Sequence, residues 1–118
     1  MNKVFICSAF AAESEDKHIL NVKRAKAACL LAIEKYDSAP FAPHLLYPQI
    51  LKDTLAPERI VGIRMGLEYL AVCDVVWQIG EIISSGMAAE LAVAKHLEIP
   101  IVKISIAEVD NMLEIMGI

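Results

Sequence analysis

Cationic side chains are scarce in this 118-residue chain: 11 Lys and Arg stand against 15 Asp and Glu, for a net charge of −4. Affinity for long nucleic acids comes mostly from cationic neutralisation of phosphates, so the balance argues against that partner and leaves small ligands open. Cysteine is sparse too. Cys7, Cys29 and Cys73 are odd in number, far apart and set among apolar residues, which supports neither a disulfide framework nor a CxxC metal site. They are expected to be buried thiols; Cys7 could be a nucleophile at a strand end, but no His stands near it in sequence to activate it. No metal and no cofactor is expected. An apolar run of the roughly 18–20 residues that cross a bilayer is missing, which argues against a membrane partner. The start, Met1 to Val4, lacks the long apolar segment of a signal peptide, so a cytoplasmic location is the expectation. Repeats, linkers and low-complexity stretches are also missing, and 1–118 reads as one domain.

What is abundant is apolar residues, 57% of the chain, against about 45–50% in ordinary soluble domains. With so little polar material to cover the surface, a homo-oligomer is expected, a dimer or tetramer. Four apolar, partly β-branched runs alternate with helical patterns, the rhythm of parallel strands joined by crossover helices. The fold class expected is therefore α/β, a flavodoxin- or Rossmann-like three-layer sandwich with a mostly parallel sheet of four or five strands.

The first strand is read at Lys3–Ser8, nearly continuous in apolar residues as for a strand covered on both faces. A helix follows from about Glu13 to Tyr36, with Val22, Ala25, Cys29, Ile33 and Tyr36 as its apolar stripe. Ala42 to Tyr47, bracketed by prolines, reads as a second strand at an edge. Asp53 or Thr54 can cap a second helix with Pro57 in its first turn, burying Ile60, Ile63, Leu67, Leu70 and Ala71. Gly62 and Gly66, four apart, mark a close approach of another element or a ligand, packing being the favoured cause. The third strand is Asp74–Gly80, the third helix Gly86–Leu97, the fourth strand Ile99–Ile104, and a last helix covers Glu108–Met116. In a 2-1-3-4 sheet the loops after Ser8 and Gly80 meet at the carboxyl ends of the strands, where ligands bind.

The loop after the third strand holds Gly80, Ser84, Ser85 and Gly86 and runs into a helix amino end, an outline shared by anion sites and by plain serine N-caps. Glu90 adds information. It shares a stripe with Gly86, Val93, Ala94 and Leu97, and Lys95 is five residues on, too far round for a simple ion pair. A carboxylate at the rim of a core-facing stripe must meet a cavity, a partner or water; alternatively, Leu91 and Ala92 face the core and Glu90 turns to solvent. Trp77 lies inside a strand and reads as core, whereas Met87, opening the helix, is the better pocket wall. His44, in a proline-rich loop, is either structural or a proton donor.

Three stretches carry a resemblance: Val4 to Ser8, Cys73-Asp74 leading into Val75 to Trp77, and above all Ser84 to Ala94 followed by Ile99 to Val102. In order and over most of the chain they resemble the nucleoside 2-deoxyribosyltransferase-like superfamily, which includes 2′-deoxynucleotide N-hydrolases and small bacterial and phage domains. Ala42 to Leu45 and Pro57 to Arg59 are similar to segments of those small domains. The resemblance implies Glu90 as the nucleophile that attacks C1′ of a deoxyribose, forming a glycosyl-enzyme ester through an oxocarbenium-like transition state. It also implies that Ser84, six residues earlier, contacts a 5′-phosphate; transferases more often carry Asp there. The chain departs from the pattern at Phe5, where active members often have Tyr, at Ala11, where nucleotide hydrolases have Arg, and at Gly66, where an Asp assists with the base.

The expectation is hydrolysis or transfer at the N-glycosidic bond of a deoxynucleoside or its 5′-monophosphate. Glu90 is the catalytic residue, and Ser84, Gly86, Met87, Ser8 and His44 bind the substrate. The departures favour, as the alternative, a noncatalytic nucleotide- or nucleotide-sugar-binding module; a purely structural oligomer-forming domain is a third reading.

Overall fold

The computed structural model describes residues 2–118. Four parallel strands form one sheet in the order β2-β1-β3-β4: β1 Lys3–Cys7, β2 Ala39–Phe41, β3 Val75–Ile79 and β4 Ile101–Ile104. Helices α1 (Glu15–Tyr36), α2 (Ala56–Leu70), α3 (Ser85–His96) and α4 (Ile106–Met116) connect or follow them. The strand period of two divides the apolar residues between the faces. Val4, Ile6, Trp77 and Ile79 pack with Ala28, Leu31 and Val109 under α1 and α4. Phe5, Cys7 and Val76 pack with Leu70, Met87, Leu91 and Ala94 under α2 and α3. Each fully buried side chain of this size contributes about 1.5–3 kcal/mol, so continuous apolar strands and two helical layers require each other. The expected three-layer α/β architecture and sheet order are both present, with four strands.

Several boundaries differ from the expectations for identifiable reasons. The second strand lies at Ala39–Phe41 and not at Ala42–Tyr47. Pro43 and Pro48 lack the N–H a ladder needs, and residues 43–49 wind into two 3-10 turns, Pro43–Leu45 and Tyr47–Gln49. This strand is at the sheet edge, as the prolines imply. In α1 the buried set is Asn21, Ala25, Ala27, Ala28, Leu31 and Ala32, while Ile33 and Tyr36 are exposed. Ala25 of the expected stripe is buried, and Ala27, Ala28 and Ala32 join it because small side chains let the helix pack close to the sheet.

Leu55, not Asp53 or Thr54, precedes α2, without a side-chain cap, and Pro57 sits in the first turn. Only Gly66 and Leu70 of this helix are buried; Ile60 and Ile63 are exposed. Gly66 is a packing glycine: a Cβ there would stand 3.3 Å from the Pro43 Cβ. Gly62 faces Tyr47 in the same way, with its hypothetical Cβ at 3.6 Å. These two glycines bring α2 against the 3-10 segment, which then rims the site. α4 begins at Ile106, capped by the Ser105 hydroxyl, which accepts from the Glu108 N–H at 3.1 Å. Among the described residues no helix is long and apolar enough to cross a membrane.

Candidate active site

Cys7 of β1 lies opposite Gln78 of β3, so the loops leaving these strands emerge side by side at the carboxyl edge. Gly80 ends β3 at φ +82, a left-handed conformation that favours glycine. Ser84 then caps α3: its Oγ accepts from the Met87 N–H at 3.2 Å. The serine is an N-cap, and the first N–H groups of the helix remain unpaired within it, as at any helix amino end. A Cβ on Gly86 would meet nothing within 4 Å, so this glycine leaves open space and relieves no packing.

Met87, Leu91 and Ala94 form the core face of α3. Glu90 borders that face and Ala92 is exposed, so the carboxylate is neither on the centre of the apolar stripe nor turned to solvent. Its Oε1 is buried with no hydrogen-bond partner among the described residues. Burial pushes the carboxyl up from 4.5 to about 7, partly offset by the neighbouring Cys7 thiol. That thiol donates to the Met87 carbonyl at 3.7 Å. It is itself raised far above its ordinary value, first by burial and then by the Glu90 charge, so Cys7 is an inert thiol and not a nucleophile.

Glu90 opens onto a cavity of about 180 Å3 that Ser84, Gly86 and His44 also line. Three of the five residues expected to bind substrate thus join Glu90. Met87 does not: at 1% exposed it is a core side chain, because the residue three positions before Glu90 falls on the buried side of the helix. Ser8 does not line this cavity either. It reaches the site only through its carbonyl, 3.0 Å from His44 Nε2.

In the neutral ring this contact makes Nε2 the protonated nitrogen, donating to Ser8, and leaves Nδ1 as an acceptor. Phe10 stacks on the imidazole with centroids 4.8 Å apart and fixes its plane. Burial lowers the His44 pKa, against smaller raising effects of the Ser8 carbonyl and Asp53. A neutral imidazole, held at one nitrogen, therefore stands in the same cavity as a carboxyl whose Oε1 has no partner.

Asp53 and Arg59 also line the cavity, a role the sequence does not assign them. They reach the site because the 3-10 segment and the start of α2 fold back over α3, an arrangement set by Pro43, Gly62 and Gly66. In the sequence Arg59 stands out only within the stretch Pro57 to Arg59, and Asp53 only as a candidate helix cap. Arg59 forms no salt bridge among the described residues. The cavity thus contains a carboxylate and a guanidinium although Gly66 and Ala11 hold neither. No group of side chains suited to a metal ion occurs among the described residues.

Comparison with solved structures finds the same fold in a 2-deoxyribosyltransferase from the psychrotolerant bacterium Bacillus psychrosaccharolyticus, with a TM-score of 0.60 and 20% identity over 87% of this chain and 72% of that one. A 2-desoxiribosyltransferase from Leishmania mexicana has a TM-score of 0.60 and 16% identity over 89% of this chain. The match spans 65% of the Leishmania chain, less than two thirds of its length. Likeness at such identities establishes the fold. No curated protein matches the sequence. The family model described as a domain of unknown function, DUF7768, matches residues 2–104, and the chain belongs to that family.

Proposed function

We propose that this domain cleaves the N-glycosidic bond of a deoxynucleoside 5′-monophosphate, with Glu90 as nucleophile. The observation that carries the reading is the Glu90 carboxyl itself, whose buried Oε1 lacks a partner inside a cavity that also holds His44, Asp53 and Arg59. An unsatisfied buried carboxylate is costly to keep for structure alone. Its setting beside proton-transfer and anion-binding groups fits a reacting centre. The two solved structures of the same fold are 2-deoxyribosyltransferases, which supports deoxyribosyl chemistry.

In the proposed reaction ionised Glu90 attacks C1′ and forms a glycosyl ester. The C1′–N bond breaks with its electron pair on the base nitrogen, which takes a proton from water. A water molecule then attacks C1′, His44 Nδ1 accepts its proton and passes it to the hydroxide left when water protonated the base, and the Glu90 carboxylate departs with the ester bond's electron pair. Free base and deoxyribose 5-phosphate are the products. The α3 amino end, Ser84 and Arg59 provide the attraction for the 5′-phosphate. Transfer to a second base would use the same ester intermediate.

The alternative, a noncatalytic nucleotide-binding module, is favoured by the raised Glu90 pKa of about 7, which leaves much of the carboxyl protonated at neutral pH. Base release separates the two. The protein is incubated with a panel of deoxynucleosides and their 5′-monophosphates at pH 8, and free base is followed by chromatography. Release from a monophosphate that is abolished in Glu90→Gln is the expected result; no release from any substrate sinks the enzyme reading and leaves binding.

A further inference from the structure

The cavity at Glu90 is small, and a second cavity adjoins it at Ser84. Small-molecule sites usually enclose about 300–1,000 Å3, whereas the cavity at Glu90 holds about 180 Å3 and an annex toward Pro43 adds about 50 Å3. A larger cavity of about 430 Å3 opens on the other face of the sheet, over the ends of β1, β3 and β4 and against α1. Ser84 lines both, so the N-cap of α3 is where the two cavities meet.

The walls of the larger cavity are chemically mixed. Ile79, Ile82 and Ile106 make an apolar side. Ser8, 4% exposed, also lines it, and its hydroxyl oxygen is buried without a hydrogen-bond partner, a cost that a ligand's acceptor would remove. Nearby charges are mostly matched: Arg24 is held by Asp110 at 2.9 Å and Glu81 pairs with Lys103 at 3.4 Å. Lys17 forms no salt bridge among the described residues and leaves the rim with a cation. The amino end of the 11-residue α4, at Ser105 and Ile106, faces the same space. An anionic group near Ser84 continuing into an apolar or aromatic moiety matches these walls.

We propose that the larger cavity binds the part of the substrate beyond the 5′-phosphate, so that the preferred ligand is a deoxynucleotide whose phosphate is esterified to an apolar or aromatic group. The proposal rests on the reading of Glu90 as the group that meets C1′. The reacting carbon lies in the small cavity, the phosphodiester at Ser84, and the ester group on Ile79, Ile82 and Ile106.

Binding is measured by calorimetry on Glu90→Gln, which removes turnover, with the four deoxynucleoside 5′-monophosphates and their phenyl esters. At least one phenyl ester is expected to bind tenfold or more tightly than its parent monophosphate. Ile82→Asp in the same background should erase at least tenfold of that ester's affinity; Ile82 is 89% exposed, so the fold tolerates the change. Equal affinity for esters and monophosphates overturns the proposal while leaving the Glu90 reading standing. Ester preference that survives Ile82→Asp overturns the assignment to this cavity. Failure of every ligand to bind removes both the proposal and the reading beneath it.

Discussion

The Nε2 of His44 lies 3.0 Å from the carbonyl oxygen of Ser8, a bond that ties the 3-10 segment after β2 to the end of β1. One contact thus fixes both the position of the segment and the tautomer of the ring.

Two variants of His44 separate these roles. Gln in its place keeps an N–H donor for the Ser8 carbonyl but has no basic nitrogen, so the fold should hold while the water-activating step slows by about 10²–10⁴-fold. The glycosyl ester on Glu90 should then accumulate and appear in the intact-protein mass after rapid acid quench. Ala also removes the bond and the Phe10 stacking partner, and should cost about 1–3 kcal/mol in urea unfolding. Unchanged turnover in His44→Gln would refute the general-base role.

Glu90 should couple stability and activity to pH in opposite directions. Its folded pKa, about 7, is above the ordinary 4.5. The folded state therefore holds the proton more tightly, its stabilising effect is fully present below pH 4.5, and it is lost as pH rises through 7. The loss amounts to about 3 kcal/mol at one pKa unit per 1.4 kcal/mol. Urea unfolding at pH 4 and pH 8.5 should show wild type losing about that much relative to Glu90→Gln. Base release, needing the carboxylate, should instead rise through pH 7. A parallel pH response of the two proteins in unfolding would contradict the burial argument.

Gly86 gives a test of the cavity that barely touches the fold. A Cβ there meets nothing within 4 Å and lies in a helix, so Gly86→Ala should change stability by no more than about 1 kcal/mol, in the favourable direction. The same methyl occupies space beside Glu90 and Ser84, so affinity for a deoxynucleoside monophosphate should fall at least tenfold in calorimetry. Unaltered affinity would mean that the ligand does not pass over the α3 amino end.

Legibility in the sequence followed the strength of the local signal. β1 and β3 are legible because central strands covered on both faces read as near-continuous apolar runs, β4 through its β-branched residues although it is an edge strand with Val102 and Lys103 exposed, and Glu90 because a carboxylate at the rim of an apolar stripe conflicts with its pattern. The other half of the cavity was not visible. Asp53 and Arg59 arrive there through the packing of Gly62 and Gly66 on Tyr47 and Pro43; the four-residue glycine spacing announces a close approach but not the element that makes it. Met87 meets a related limit: the third residue of α3 faces in or out according to the helix rotation, which the packing of Leu91 and Ala94 on Phe5 and Cys7 decides.

The exposed side of α2 carries the prediction of self-association. Val61, Met65 and Tyr69 recur at helical spacing, Val72 follows in the turn after the helix, and all four are exposed, a stripe that a monomeric surface of this size rarely presents. Tyr69 is stacked on Phe41 with centroids 4.6 Å apart, so the stripe is anchored to the sheet edge and presents a firm face. A second copy meeting it across a two-fold axis would bury each of these side chains once on either side. Sedimentation equilibrium should therefore show a dimer or tetramer, and Met65→Lys, which puts a charge at the centre of the stripe, should shift it toward monomer while leaving the far-UV spectrum unchanged. A wild-type protein that stays monomeric at every concentration would show instead that this apolar stripe remains open to solvent.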